Sequence, residues 1–296
     1  IRAAQESRGL GDVYKRQPKF LNGEYFATMC LTEAHCGTDL GLIRTKAVPE
    51  NEEFRVSGQK IFITAGEHDL SENIIHLVLA KLPDAPPGAK GISLFLVPKI
   101  LVNDDGSLGD RNGVNCVSIE EKMGVHGSPT CVLSFENSLG YIVGEPHKGL
   151  EAMFSMMNNE RIAVGMQGLG VAEISYQNAL LYAKDRLQGR DLKGAKKPSE
   201  EADPLLVHPD IRRMLLRAKA LIDSSRMLSA WTALAIDRSV KDPDEKIRKA
   251  NNDLGELMTP IIKSILTDYG VEISSEMLQI FGGHGYIREY LSLIHI

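Results

Sequence analysis

The chain has 296 residues, enough for two domains that each bury an apolar core. Hydrophobic residues make up 43% and charged residues 25%, a balance typical of a water-soluble globular protein. The net charge of −5, without a basic block, argues against a nucleic-acid partner, and no apolar run reaches the roughly 18 residues that span a bilayer. We therefore expect a cytoplasmic protein with no transmembrane segment.

The four cysteines, Cys30, Cys36, Cys116 and Cys131, form no Cys-x-x-Cys pair. We interpret them as reduced thiols in a cytoplasmic protein. His35, Cys36 and Cys30 could contribute to a metal site, but no second cluster of ligands follows them. We expect no metal.

The two ends of the sequence differ from the rest. Residues 1–17 show neither helical nor strand periodicity, and they lack the order of charge, apolar core and small residues that marks a signal peptide. They and residues 291–296 resemble translated vector or sequencing-adapter sequence. We expect both segments to be artefacts and the protein to be a fragment truncated at both ends.

Residues 18–137 have the pattern of a β domain. Short apolar runs alternate with turns rich in Gly, Pro and Asp, and the clearest runs are 54–58, 60–63, 74–80, 91–98 and 130–135. Many short strands separated by turns are typical of a barrel or a sandwich. The pattern leaves these two architectures open.

The periodicity becomes helical after Gly149. Apolar residues at three- and four-residue steps predict a first helix over 150–186, and two more over 208–237 and 243–280. Connecting loops favour an antiparallel α-helical bundle over 138–290, so the expected fold is an α+β multidomain chain. Gly165, Gly168 and Gly170 each weaken the first helix, and we expect them to allow close helix packing.

Motifs for several common chemistries are missing from the sequence. It has no Gly-x-Gly-x-x-Gly after a strand, no Walker motif and no Gly-x-Ser-x-Gly. Two strand-like runs, 29–39 and 60–66, instead place threonine hydroxyls beside apolar and aromatic side chains. Such runs can hydrogen-bond and cover a flat, partly polar ring, and Gly37 lets the backbone approach it closely.

Three segments carry a resemblance to a known family. They resemble motifs of the FAD-dependent acyl-CoA dehydrogenases, and they are Met29-x-x-Thr32-Glu33-x-x-x-Gly37-Thr38-Asp39, Lys60-x-Phe62-Ile63-Thr64 and Gln279-Ile280-x-Gly282-Gly283-x-Gly285-Tyr286. The resemblance extends over 19–290. Other short segments of the chain are similar to the larger bacterial branch of this family, which includes 3-methylmercaptopropionyl-CoA dehydrogenases and long-chain enzymes. The resemblance to the family implies a middle β domain with flavin and acyl-CoA contacts, followed by the helical bundle.

The resemblance also implies which residues contact FAD. His208 falls near such a position, although a helix-capping role is an equal alternative, and Gly189-Arg190 replaces the family's usual Phe-Gly. The implied contacts in the β domain are Met29, Leu31, Thr32, Gly37, Thr38, Phe62, Ile63 and Thr64. Those in the bundle are Arg186, Gln188, His208, Gln279, Gly282 and Gly283.

The implied reaction is α,β-dehydrogenation of an acyl-CoA thioester to the trans-2-enoyl-CoA. A carboxylate removes the α-proton while the β-hydrogen leaves as hydride to flavin N5. In most members that carboxylate lies beyond the position of Tyr290, so we expect this chain to lack its usual catalytic base; a minority of members supply the base from the position of Glu160, which is the less favoured candidate. Thr38, Asn158 and Arg161 match substrate contacts.

The same resemblance implies the partners: an acyl-CoA substrate, electron-transfer flavoprotein as acceptor, and a homodimer or homotetramer. Two alternatives remain open. One is an acyl-CoA oxidase that passes electrons to O₂, and the other is a non-catalytic flavin-binding or scaffold protein.

Overall fold

The computed structural model describes residues 18–103 and 105–287. The chain folds into two compact units, and the boundary between them lies between Met156 and Met157. The predicted artefact segments 1–17 and 291–296 lie outside the described residues.

The first unit is built mainly from strands, with short 3₁₀ turns between them. The turns are Leu40–Leu42 and Gly88–Gly91. The strands are β1 (Tyr25–Cys30), β2 (Lys46–Glu50), β3 (Glu53–Thr64), β4 (Asn73–Lys81), β5 (Ile92–Pro98), β6 (Ile100–Val102), β7 (Leu108–Arg111), β8 (Val114–Ile119) and β9 (Thr130–Val143). The last strand continues past residue 137, where the sequence predicted the end of the β domain.

The strand pairings form a closed ring. β2 pairs with β3, β3 with β9, β9 with β5 and β5 with β4, all antiparallel. β4 then meets β2 through Lys81 and Lys46, while β1 runs parallel to the first part of β4. Of the two architectures that the sequence left open, the pairings therefore favour the barrel.

Buried apolar side chains from several strands fill the centre of this unit. Val56, Phe95, Leu133 and Phe135 are each at most 2% exposed. β4 and β5 are buried almost throughout, which explains why both appear in the sequence as nearly continuous apolar runs. All four cysteines are free thiols.

The second unit is built from three long helices, the first of which begins in the first unit. They are α1 (Gly149–Asp185), α2 (Pro209–Lys241) and α3 (Glu245–Ile280), with 3₁₀ turns at Leu205–Val207 and Gly282–Tyr286. Pro209 opens α2 with its fixed φ, and the Asp244 carboxylate accepts the Lys246 N–H at 2.8 Å to cap α3.

Contacts between the helices give their directions. Arg213 on α2 pairs with Glu276 on α3, and Arg217 pairs with Glu272, so the partner moves back along α3 as α2 advances and these neighbours are antiparallel. Gly168 meets Leu266, and Ser175 Oγ lies 3.2 Å from Ser274 Oγ, so α1 and α3 run parallel to each other. Among the described helices, none has the length and apolar character that a bilayer span requires.

Gly165, Gly168 and Gly170 of α1 differ in how closely α3 approaches them. A Cβ at Gly168 would lie 2.8 Å from the Leu266 carbonyl carbon and closer still to its oxygen, so α3 passes directly against the α1 backbone there. A Cβ at Gly165 would lie 3.0 Å from an Ile262 methyl group. Gly170 has nothing within 4 Å of that position, so the expectation of close packing does not apply to it.

Candidate functional site

The end of β1 forms one part of the candidate site. Met29, Leu31 and Thr32 are half-buried there, and the chain then turns through Gly37 and Thr38, which are exposed. The Thr32 carbonyl accepts the Ile61 N–H at 2.9 Å. This bond joins the two runs that the sequence analysis assigned to a ring-shaped ligand.

The second run lies on an irregular part of β3. The pairing of β3 with β9 shifts register between Lys60 and Ile63, as at a β-bulge, and Phe62 has a φ of 60°. The Phe62 side chain is 60% exposed and Thr64 is also exposed. Ile63 differs from them, because the residue is only 2% exposed and its side chain packs in the core.

An ion pair lies beneath these two runs. Lys60 Nζ is 2.9 Å from Glu33 Oε1, and both side chains are buried. Burial lowers the pKa of Lys60, and the Glu33 carboxylate opposes this in part. Burial would raise the pKa of Glu33, but Lys60, Thr45 and the Arg44 N–H outweigh it and hold that pKa low.

Glu33, His35 and Cys36 place possible metal ligands within 4.8 Å of one another. The Glu33 carboxylate, however, already accepts hydrogen bonds from the backbone N–H groups of Arg44 and Thr45, from the Thr45 hydroxyl and from Lys60. The second of the three side chains, His35, has its Nε2 2.9 Å from the Leu42 carbonyl oxygen. These partners leave the cluster poorly suited to a cation.

A cavity of about 430 Å³ lies within the helical unit, where the ends of α1 and α3 meet the loop before α2. Its described lining residues include no Asp or Glu, so an anion would meet no carboxylate there. Five of the expected FAD contacts line it: Arg186, Gln188, Gln279, Gly282 and Gly283. The other lining residues are Tyr182, Leu205, Ile211, Ile280, Phe281 and His284.

Aromatic and polar contacts shape the cavity wall. The Tyr182 ring stacks on Phe281 with centroids 4.5 Å apart, and its hydroxyl lies 2.8 Å from His284 Nδ1. The Gln279 amide donates to the Tyr286 hydroxyl at 2.6 Å. Sequence reasoning missed Tyr182, although it lies one helical turn before Arg186, which directly follows α1 and whose N–H donates to the Tyr182 carbonyl at 2.8 Å.

His208 occupies the N-cap position of α2, but its side chain makes no capping hydrogen bond. Its Nε2 instead lies 2.7 Å from the Gln188 carbonyl oxygen. Gly189, next to Gln188, has a φ of 72°, and a Cβ there would lie 3.3 Å from His208 Cε1. His208 is not among the cavity-lining residues, and it supports the loop that carries Gln188.

Asp203 organises the same loop, and nothing in the sequence pattern indicated this role. Its fully buried carboxylate accepts the N–H groups of Asp191, Lys196 and Lys197 at 2.7–3.0 Å, and Arg190 lies 3.5 Å away. Burial would raise the pKa of Asp203, but these donors outweigh it and lower the pKa to about 2. The carboxylate is therefore ionised over the whole physiological range.

The expected substrate contacts and candidate base lie on α1. Arg161 donates to the Asn158 side-chain oxygen at 3.2 Å, so these two residues share one face of the helix. Glu160, adjacent to Arg161, is exposed.

Two family models match the chain. They are "Acyl-CoA dehydrogenase, middle domain" over residues 28–138 and "Acyl-CoA dehydrogenase, C-terminal domain" over residues 147–295. A β unit followed by a helical unit of this kind defines a class of flavoprotein oxidoreductases. The chain belongs to the acyl-CoA dehydrogenase family, which uses FAD.

Curated relatives agree with this assignment. The chain is 47% identical over 272 residues to a 3-methylmercaptopropionyl-CoA dehydrogenase of Ruegeria pomeroyi, and 40% identical over 283 residues to a butyryl-CoA dehydrogenase of Syntrophomonas wolfei. Each match covers 92% of this chain and 46% of the relative. The chain thus spans about half the length of these relatives.

Solved structures have the same fold. The butyryl-CoA dehydrogenase of Megasphaera elsdenii superposes with a TM-score of 0.74 at 26% identity, over 95% of this chain and 64% of that one. Caenorhabditis elegans ACDH-11 in complex with C11-CoA superposes with a TM-score of 0.75 at 22% identity, over 91% of this chain and 42% of that one.

Proposed function

We propose that this chain forms part of an FAD-dependent acyl-CoA dehydrogenase that converts an acyl-CoA thioester to the trans-2-enoyl-CoA. The observation that carries the proposal is the cavity of the helical unit. It collects Arg186, Gln188, Gln279, Gly282 and Gly283, which come from distant parts of the sequence, around one space whose described lining contains no carboxylate.

The chemistry of these residues fits FAD. A guanidinium is a strong partner for a diphosphate, and amide side chains can hydrogen-bond ribose and adenine. Gly282, with a φ of 57°, and Gly283 have nothing within 4 Å of their Cβ positions, so a ligand can approach their backbone closely. We assign this cavity to the adenosine and diphosphate portions of an FAD molecule.

The β unit offers a separate set of groups for the flavin ring. Phe62 presents an exposed aromatic face, and the Thr32 and Thr64 hydroxyls can donate hydrogen bonds to ring heteroatoms. Gly37 and Thr38 lie in the exposed turn beyond them, where Thr38 could also contact the substrate. Bound FAD supplies the hydride acceptor of the reaction.

The chain offers one candidate for the general base among the residues expected to act in the reaction. Glu160 is exposed on α1, so its carboxylate is open to a proton donor, and Asn158 and Arg161 beside it can orient a substrate. The alternative is a carboxylate that lies beyond Tyr290.

The names of the relatives suggest which substrates to test. We propose 3-methylmercaptopropionyl-CoA as the first acyl thioester and butyryl-CoA as the second, with electron-transfer flavoprotein as the electron acceptor. We also propose a homodimer or homotetramer, which size-exclusion chromatography with light scattering would measure.

The test measures FAD binding first and turnover second. We expect wild-type protein to bind FAD and Arg186→Met to bind it at least about tenfold more weakly, since a charge-assisted bond to the diphosphate is lost. Arg238→Met, at an exposed arginine near the end of α2, is the control and should bind as wild type does. A colourless protein that binds no FAD would rule the proposal out.

Turnover with each acyl-CoA then separates the competing functions. A dehydrogenase reduces electron-transfer flavoprotein and forms little peroxide in air. An acyl-CoA oxidase forms peroxide in step with enoyl-CoA, and a scaffold protein binds FAD but forms no enoyl-CoA.

A further inference from the structure

Lys60 is a fully buried lysine at the point where the two candidate flavin-contacting runs meet. Its ammonium donates to the Leu31 carbonyl oxygen at 2.8 Å and to Glu33 Oε1 at 2.9 Å. Lysine is almost never fully buried without such partners. The two acceptors lie on either side of Thr32, so one ammonium holds this residue from both directions.

The Glu33 carboxylate connects this contact to a third segment. Oε2 accepts the Arg44 N–H at 2.7 Å, and Oε1 accepts both the Thr45 N–H at 3.0 Å and the Thr45 hydroxyl at 2.6 Å. These donors do not depend on Lys60. Glu33 is therefore anchored on one side, and the ammonium holds β3 against an already fixed point.

The anchored end of β3 is the end that carries the bulge. The Ile61 N–H donates to the Thr32 carbonyl at 2.9 Å, and the next residue is Phe62 with its positive φ. A bulky residue in that conformation is strained and persists only where its surroundings enforce it. On the other side, the Ala65 N–H donates to the Pro129 carbonyl at 2.7 Å.

Stability alone does not account for an ion pair at this place. Replacing a buried ion pair by apolar residues of similar volume is often neutral or stabilising, because desolvating two charges costs as much as their attraction returns. An apolar pair, however, offers no directional bond to the Leu31 carbonyl. What Lys60 provides and an apolar side chain cannot is a fixed position of the run 29–32 relative to the bulge.

We propose that Lys60 is a positioning residue for the flavin ring: its ammonium fixes the run 29–32 against the bulge, and so sets where Thr32, Phe62 and Thr64 meet the ring. Lys60 itself does not face the ligand, because its side chain is buried. The inference rests on the proposed function, since it requires that the β unit binds a flavin.

The experiment compares four full-length proteins: wild type, Lys60→Met, Lys60→Met combined with Glu33→Gln, and Lys46→Met. The first variant removes the ammonium and leaves Glu33 anchored. The double variant removes both charges but keeps a side-chain oxygen that can accept from the Thr45 donors, so that no unpaired charge remains buried. Lys46 is an exposed lysine of β2 in the same unit and serves as the control. For each protein, thermal unfolding, the Kd for FAD and the visible absorption spectrum of bound FAD are measured.

We expect Lys60→Met to raise the Kd for FAD at least about tenfold, which corresponds to the loss of about one well-placed hydrogen bond to the ring. The double variant should regain thermal stability while keeping the raised Kd and a shifted flavin spectrum. Lys46→Met should match wild type in all three measurements. If Lys60→Met does not fold, the double variant alone still decides the question.

Two results would overturn the proposal. Wild-type Kd and spectrum in a folded variant without Lys60 would show that the ammonium does not position the ring. Recovery of stability, Kd and spectrum together in the double variant would assign Lys60 a purely structural role. Failure of the proposed function is distinguishable from both, because wild-type protein would then bind no FAD.

Discussion

The contact between α1 and α3 at Gly168 allows a sharp test of how the helical unit is packed. Replacing Gly168 with Ala adds one methyl group at a buried position on α1. That group would lie 2.8 Å from the Leu266 carbonyl carbon and 2.9 Å from Thr267 Cα. The approach is mutual, since a Cβ at Gly270 would lie 2.9 Å from the Gly168 carbonyl oxygen.

The size of the effect follows from two opposing contributions. Ala in place of Gly in a helix stabilises by about 0.5–1 kcal/mol through the smaller entropy of the unfolded chain. Overpacking a core costs about 1–3 kcal/mol, and the upper end applies here because the opposing atoms are backbone that cannot rotate away. We therefore expect Gly168→Ala to lower the free energy of unfolding by about 2 kcal/mol.

Gly170 provides the matched control two residues away. It is exposed, and nothing lies within 4 Å of its Cβ position. Gly170→Ala should therefore stabilise by about 0.5–1 kcal/mol, so that the two variants differ by roughly 3 kcal/mol. Urea unfolding followed by the fluorescence of Trp231, the single tryptophan of the chain, reports on the helical unit. Equal stability of the two variants would refute the close helix contact.

Three further predictions concern acid stability and catalysis. The pKa of Asp203 is lowered to about 2 from its ordinary 3.8, so the ionised carboxylate contributes fully to the stability of the fold above pH 3.8 and loses this contribution as the pH falls towards 2. The urea midpoint of the wild type should therefore fall over this pH range, and Asp203→Asn should remove that fall. Burial, with Lys99 nearby, lowers the pKa of His76 from 6.5 to about 3. Below pH 6.5 the imidazole is therefore protonated in the unfolded chain but not in the folded one, and the free energy of unfolding falls by at most about 1.4 kcal/mol per pH unit. Urea midpoints of His76→Gln should lack that slope, and an unchanged slope would contradict the assignment. If Glu160 is the base, Glu160→Gln should abolish enoyl-CoA formation and leave FAD bound. Glu151 is an exposed glutamate on the same helix, and Glu151→Gln should leave turnover unchanged. Unaltered turnover in Glu160→Gln would place the base elsewhere.

The fold was predictable wherever the pattern is local. The change from short apolar runs to helical periodicity predicted the order of the two units, and the predicted helix over 243–280 differs from α3 (Glu245–Ile280) by two residues. The closure of the barrel was not predictable, because it depends on one pairing between Lys46 and Lys81, which are far apart in the sequence. The same limit applies to Asp203, since its donors come from a loop without regular periodicity.

The candidate site, like the fold, was predictable from the sequence only in part. A threonine or glycine in a motif can be read directly, but the left-handed conformation of Phe62 cannot, since a bulky residue rarely adopts it. Nor does the sequence indicate that Ile63, between two exposed neighbours, faces the core. Both facts depend on the bulge in β3, where the strand has one more residue than its partner β9 between two paired positions.

The position of the cavity in the helical unit follows from helix direction. Because α1 and α3 run parallel, their C-terminal ends lie side by side, which brings Arg186, just beyond α1, next to Gln279 near the end of α3. Helix C-termini carry partial negative charge and are unfavourable places for a diphosphate. An anion bound there needs a compensating cation, and Arg186 is the one Lys or Arg among the described lining residues. The parallel direction of α1 and α3 therefore both brings the cavity residues together and makes the positive charge of Arg186 necessary. For this reason Arg186→Met should weaken FAD binding far more than the removal of an ordinary surface charge would.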